Sequence, residues 1–417
     1  MATRTLAIER LTFGPDALAR DGGRIVFVAG GAPGDRVIAE VTEERRGFLR
    51  ARVREVLSAG PGRVEPRCPW IERCGGCPWQ HVAPAAQLAA KRAVVAEQLE
   101  RLGGLRGVDV LPALAASAPW RYRSRITLAV DGRRLGYHAR GSRVLAEIDD
   151  CLLAHPALVE HLPAARRWVE RLRAVPERVT LAVAPGGVVL HADGRARPGH
   201  ADRDATETLL AGTASVRGAV LTGGGARMVA GDPTLRVALE PGCELEVPAD
   251  AFTQVNPDGN RLLVRTVLEL GAFVAGERAL DLYCGAGNFA LPIARREVAV
   301  TAVERSPVAV AAARANAARL GVRVQVVEGE VAAAIAALPP APLDAVVLDP
   351  PRAGAAEALA QLAARRPARI VYVSCDPATL ARDARTLHQL GWTLVQARPL
   401  DLFPHTHHVE TVAEFRC

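Results

Sequence analysis

The chemistry legible in this chain is carried by a thiol at the end of an apolar run and by carboxylates spaced to meet it. Ile370 to Pro377 reads IVYVSCDP. A β-branched and aromatic run that stops at Ser374, Cys375, Asp376 and Pro377 reads as a buried parallel strand. Such a strand delivers its last side chain to the carboxyl edge of a sheet, where open α/β folds place their ligands. Cys375 can be core filling or a nucleophile, because free cysteine is among the most buried residue types. Asp349-Pro350-Pro351-Arg352 ends a second apolar run in the same way. Asp281, Gly285, Gly287 and Glu304 form a third set, with Glu304 lying 23 residues beyond Asp281. A glycine-rich strand-to-helix turn lets backbone approach a ligand, and a carboxylate at the next strand's end can accept from ribose hydroxyls. A GxG turn alone also suits a dinucleotide, but Asn288-Phe289 replaces the third-glycine pattern.

Cys68, Cys74 and Cys77 fall within ten residues, in CPWIERCGGCPW. Gly75 and Gly76 permit a tight turn, so all three thiols can point at one centre. Cys151, in IDDCLLAHP, is the best fourth ligand. Four thiolates suit tetrahedral zinc or an iron–sulfur cluster. Zinc sites usually pair cysteines as two close doublets, whereas three plus one is the iron–sulfur habit. His405, His407 and His408 have no matching carboxylate or cysteine nearby, and read as loop residues free to touch phosphate. Cys243, Cys284 and Cys417 read as structural or incidental.

These groups need elements to position them. From about residue 250 the chain alternates strands and helices: Ala279–Tyr283, Val298–Val303, Val322–Val327, Ala345–Leu348 and Arg369–Ser374 as strands, with Val409–Phe415 last. Ser306 caps a helix that has Pro307 at its first position and Gly321 at its end. This is the pattern of a doubly wound parallel sheet. Before it, Ala85 to Leu102 reads as a helix closed by Gly103 and Gly104. Residues 120 to 240 alternate short strands with turns such as Asp131-Gly132. Arg121, Arg123 and Arg125 occupy alternate positions and would share one strand face. Residues 5 to 57 read as a small β-module whose later part is crowded by Arg45, Arg46, Arg50, Arg52 and Arg54. That crowding is either a solvated strand face or a surface that tracks an RNA backbone.

At 417 residues the chain is long for one core, and 49% apolar content is globular. The net charge is +7, and Lys91 is the only lysine among 52 basic residues. Arginine favours bidentate phosphate contacts, so a polyanionic partner is expected. The N-terminus lacks a secretory h-region, and no run of about twenty apolar residues is present. A cytoplasmic protein with no membrane segment follows, and in a reducing compartment eight cysteines argue for metal or catalysis over disulfides.

FTQVNP, DLYCGAGNF, LDPPRAG, VSCDPATLARD and FPHTHHVE, with the three-plus-one cysteines, together resemble the RNA (uracil-5-)-methyltransferase family in its iron–sulfur branch, over essentially the whole chain. The resemblance implies a TRAM/OB-like β-barrel over 1–58 and a central domain with the cysteines and β-rich region over 59–249. A Rossmann-like, S-adenosylmethionine-dependent methyltransferase domain would occupy 250–417. It implies Cys375 as nucleophile and Glu410 as base. Gln254, Tyr283, Asn288, Glu304 and Asp349 would line the S-adenosylmethionine site, and Cys68, Cys74, Cys77 and Cys151 would hold a 4Fe-4S cluster. The expected reaction is methylation of uridine carbon 5 in 23S ribosomal RNA by a monomer. The thymine-loop uridine of tRNA is the alternative substrate, and a non-catalytic iron–sulfur RNA-binding protein the alternative class. Two positions depart from the family. Glu330 stands where members carry Asp or Asn, and SCDP replaces SCNP. An anionic Asp376 should raise the thiol's pKa, so a neighbouring donor must compensate.

Overall fold

The computed structural model describes residues 2–116, 118–339 and 341–417. Three β-systems follow one another. The first is a closed barrel in the order Thr3–Leu11, Ala17–Asp21, Arg24–Ala29, Phe48–Ser58, Arg36–Glu44. Every pairing is antiparallel except that of Arg24–Ala29 with Phe48–Ser58. Alternation explains its interior: Leu6, Ile8, Val26, Val28, Val37 and Ala39 point inward and are buried.

The second is a seven-stranded sheet from Arg125–Asp131 to Ala226–Gly231, in which only Gly187–Asp193 and Val216–Gly223 run parallel. Helices Leu162–Arg171 and His200–Gly212 cover it around Trp168.

The third is the α/β sheet. Its order is Val324–Glu328, Ala299–Glu304, Arg278–Leu282, Ala345–Leu348, Arg369–Ser374, Glu410–Arg416, Thr393–Asp401. All of these strands are parallel except Glu410–Arg416, which runs antiparallel to both neighbours. Strand order reverses between Arg278–Leu282 and Ala345–Leu348, so a crevice opens at their carboxyl ends. Apolar clusters fill both faces.

Packing crosses the expected boundaries at 58/59 and 249/250. Helix Pro84–Arg101 buries Val95 and Leu99 against Leu380, Ala384 and Leu387 of the α/β unit. Asp109–Val110 and Leu114–Ala115 then pair with Thr393–Asp401 and cover the sheet's open edge. The hairpin Thr234–Glu240/Cys243–Pro248 shares its core with helix Pro257–Gly271. An exposed apolar face or strand edge must be covered, and here segments before residue 250 cover it. Among the described residues no helix is long and apolar enough to cross a membrane.

Candidate active site

Strand Arg369–Ser374 is fully buried from Ile370 to Val373. Pro377 starts the next helix, and Asp376 caps it by accepting from the Thr379 N–H at 2.9 Å. Cys375 lies in the turn between them, half-buried. The neighbouring antiparallel strand pairs Thr411 with Ser374. Glu410 precedes Thr411 as the first residue of its strand and is 4% exposed, and its carboxyl is near enough to act on the Cys375 thiol.

Burial pushes the Glu410 carboxyl up to about 8, with Asp349 adding to the rise and Arg352 opposing it. Burial alone takes Asp349 to about 7. The Cys375 thiol rises to about 11 through burial first, then the Glu410 carboxyl, while the Arg352 guanidinium is the donor that acts against both. Such a thiol is mostly protonated at pH 7, and the Arg352 guanidinium is the neighbouring charge that favours its thiolate.

Arg352 was not singled out from the sequence; its signal was its place directly after the two prolines. The Thr379 hydroxyl donates to its carbonyl at 3.1 Å. Asp383 accepts from the Ala355 N–H at 2.8 Å and from the Tyr372 hydroxyl at 2.5 Å, fixing the same loop to the helix. A Cβ on Gly354, whose φ is +93°, would meet Asp383 and Thr379 at 2.8 Å. Asp376 spends its carboxylate on the helix N-terminus and is not among the groups that shift the thiol.

The crevice gathers Asp281, Tyr283, Glu304 and Asp349. Asp281 is wholly buried; its Oδ2 accepts from the Ala290 N–H at 2.7 Å and its Oδ1 has no partner. Burial, then Asp349 and Glu304, hold its pKa well above the usual range. Buried carboxylates that repel one another suit a cationic ligand, and the donor set therefore fits a sulfonium and ammonium group. Glu304 accepts from the Gly285 N–H at 3.1 Å and the Ser306 N–H at 2.7 Å, which holds its carboxylate at the strand end. Tyr283 turns the chain there with φ +66°. Gln254 is half-buried and makes no side-chain hydrogen bond among the described residues. Asn288 exchanges two hydrogen bonds with Asn260, at 2.9 and 3.0 Å. Its amide anchors the glycine turn to helix Pro257–Gly271. Glu330 is exposed and pairs with Arg305 at 3.4 Å.

Several surface expectations change. Arg121, Arg123 and Arg125 do not share a strand face, because Arg121 has φ +56° and the strand starts at Arg125. Arg121 forks onto Asp150 at 2.7 and 3.0 Å. Arg125 donates to the carbonyls of Ala251 and Ala249. Burial takes His405 and His408 down to about 4, so they are neutral rings at pH 7 and not phosphate-pairing cations. On the barrel, Arg45, Arg50 and Arg54 pair with Glu43, Asp16 and Glu40. Arg46 and Arg52 make no ion pair among the described residues.

Cys68, Cys74, Cys77 and Cys151 are all half-buried. Burial raises Cys74, which feels Cys151 and Cys68; it takes Cys77 up to about 12, with Cys151 and Cys74 contributing. The four thiols thus share one neighbourhood, and as a donor set they fit a soft metal centre. Their sulfurs are not closed into a centre, however: no group of three or more His, Cys, Asp or Glu side chains among the described residues is arranged to hold a metal ion.

Three family models match the chain: TRAM domain over residues 2–53, methyltransferase small domain over 245–366, and tRNA (uracil-5-)-methyltransferase over 337–414. The 23S rRNA (uracil(1939)-C(5))-methyltransferase RlmD of Alkalilimnicola ehrlichii is 40% identical, covering 99% of this chain and 96% of its own. That of Nitrosococcus oceani is 36% identical, covering 98% and 95%. The crystal structure of the Pyrococcus abyssi tRNA (uracil-54, C5)-methyltransferase with S-adenosyl-L-homocysteine superposes with a TM-score of 0.75. It is 25% identical and covers 98% of this chain and 99% of that one.

Proposed function

Because the chain belongs to the RNA uracil-C5-methyltransferase family, we propose that it methylates carbon 5 of a uridine in 23S ribosomal RNA, with Cys375 as nucleophile and Glu410 as base. The observation that carries this reading is the nearness of the Cys375 thiol to the buried Glu410 carboxyl, where two paired strands end. S-adenosylmethionine, when bound, supplies a methyl group on a positively charged sulfur.

Carbon 5 of uracil is a poor nucleophile until carbon 6 is attacked. Cys375 Sγ bonds to carbon 6, and the displaced π pair makes carbon 5 electron-rich, with charge spread onto the carbon 4 oxygen. After carbon 5 has taken the methyl group, Glu410 removes its proton. The freed pair restores the ring double bond and expels the thiolate. Arg352 assists the first step by favouring thiolate. Glu410 gains proton affinity once the sulfonium charge is gone, with Arg352 still opposing, and that is the stage at which its base function is needed. Asp281 and Asp349 supply the negative crevice, Glu304 accepts from ribose hydroxyls, and Tyr283 and Gln254 line the same site. Asn288 acts by holding the glycine turn.

Cys68, Cys74, Cys77 and Cys151 would hold a 4Fe-4S cluster. The mutual proximity of the four thiols and their three-plus-one spacing support it; the cluster would supply a rigid crosslink between the cysteine loop and the central domain. A brown protein with broad blue absorption is the expected result, and a colourless zinc protein would refute it. The RNA backbone would run over the barrel near Arg46 and Arg52, and the target base would leave its stack at a cost of a few kcal/mol. A monomer is expected by light scattering.

The 25% identity to a tRNA enzyme keeps tRNA as the second reading. Mapping 5-methyluridine in both RNAs after gene deletion decides: loss from ribosomal RNA alone supports the first, loss from tRNA the second.

A further inference from the structure

The loop over residues 402–409 feeds Glu410 into its strand, and the groups that hold it come from far earlier in the chain. Its first anchor is Lys91, on helix Pro84–Arg101 and 1% exposed. Lys91 Nζ donates to Asp401 Oδ1 at 2.5 Å and to the Phe403 carbonyl at 3.1 Å, beneath the Trp79 ring. Asp401 Oδ1 also accepts from the Phe403 N–H at 3.1 Å. In a chain whose other basic side chains are all arginine, this enclosed site takes the one compact ammonium. A planar guanidinium with five donors would leave several unsatisfied here.

The second anchor grips His405, which has φ +68°. Gln87, one turn before Lys91 and also 1% exposed, accepts from the His405 N–H through Oε1 at 2.7 Å. Its Nε2 donates to the carbonyls of Val82 and Trp79, at 2.7 and 3.2 Å. The His405 carbonyl accepts from the Trp79 N–H at 3.0 Å, and its ring stacks on Trp120 at 3.9 Å. A non-glycine residue keeps such a backbone only where its surroundings over-determine it, and strain of this kind clusters at functional sites. Glu410 has its own ladder partner in Leu400. It is nevertheless the first residue of its strand, so its carboxyl depends on how the loop delivers it.

We infer that Gln87 and Lys91 are positioning residues for the base: together with Trp79, two residues beyond Cys77, they clamp the His405 loop and set the Glu410 carboxyl against the carbon 5 proton. The inference rests on the reading of Glu410 as base. Removing the clamp should impair the last proton transfer more than thiol attack or methyl transfer, so methylated RNA stays bound to Cys375.

The test uses the full-length enzyme, S-adenosylmethionine and a 23S rRNA fragment carrying the target uridine, read on denaturing gels and by steady-state kinetics. Gln87→Leu is expected to lower kcat at least about tenfold while the RNA KM stays within about twofold, and to accumulate a denaturant-stable protein–RNA adduct as Glu410→Gln does. Lys91→Met combined with Asp401→Asn removes both buried charges together and should give the same partition. Slow turnover without adduct in both variants overturns the inference, as does loss of the folded state in both, which would leave these residues a purely structural role. If Glu410→Gln itself forms no adduct, the base assignment fails instead.

Discussion

Cys375 and Glu410 adjoin the paired Ser374 and Thr411, where two antiparallel strands meet at the edge of the α/β sheet, and the Glu410 carboxyl acts on the Cys375 thiol. Groups this near to one another can act on a single pyrimidine ring. This relationship separates the effects of two substitutions. Cys375→Ala should abolish methyl transfer by at least about 10^3-fold and leave no covalent adduct, with S-adenosylmethionine binding intact. Glu410→Gln should form the adduct and slow its resolution by about 10^2–10^4-fold. Turnover by Cys375→Ala, or clean release by Glu410→Gln at the normal rate, contradicts the assignments.

Arg352 opposes both groups that raise the thiol. Arg352→Met should therefore move the alkaline limb of Cys375 alkylation by iodoacetamide to higher pH and lower the rate at pH 7. An unchanged alkylation profile would mean that some other group activates the sulfur.

Asp349 at about 7 and Glu410 at about 8 give the ligand-free protein a definite pH response. Both folded values lie above the unfolded ones, so the folded state binds more protons between about pH 4 and 8, and stability falls as pH rises through that window. Because His405 and His408, held near 4, act in the opposite sense below about pH 6.5, the melting temperature should drop from pH 6.5 to pH 8.5, and Asp349→Asn with Glu410→Gln should flatten the drop. A cation entering the crevice lowers both values. S-adenosylmethionine should therefore release protons near pH 7 in calorimetry with buffers of different ionisation enthalpy, and S-adenosylhomocysteine fewer. Equal release by the two ligands would place the sulfonium away from these carboxyls.

Asp376 caps its helix instead of facing the thiol. Asp376→Asn should keep the cap, change stability by less than about 1 kcal/mol and leave kcat within a few-fold. A large rise in thiol reactivity would show that its charge does reach the sulfur.

Arg46 and Arg52, in the arginine-crowded later part of the barrel, make no ion pair among the described residues. If each contacts phosphate, replacing both with alanine should reduce the salt slope of RNA binding by up to about two, and an unchanged slope would move the backbone path elsewhere.

Local patterns carried much of this protein. The apolar run into Cys375, the Ser306 cap with Pro307 and Gly321, and Ala345–Leu348 before Asp349 were each legible, because a strand end or a helix cap is written within a few neighbouring residues. Inference from alternate spacing failed at Arg121 and Arg125, whose partners Asp150, Ala249 and Ala251 come from distant segments. Nothing nearby in the sequence marks Lys91 or Gln87 as anchors of the loop that leads into Glu410. Those relationships arise only when helix Pro84–Arg101 docks on the α/β unit and the last strand inserts antiparallel beside Arg369–Ser374. The sequence by itself determined which atoms could react and at which strand ends they sit. The tertiary structure decided which of them meet and how far burial shifts their protons, because contact between distant segments and the loss of water around a charge are properties of packing.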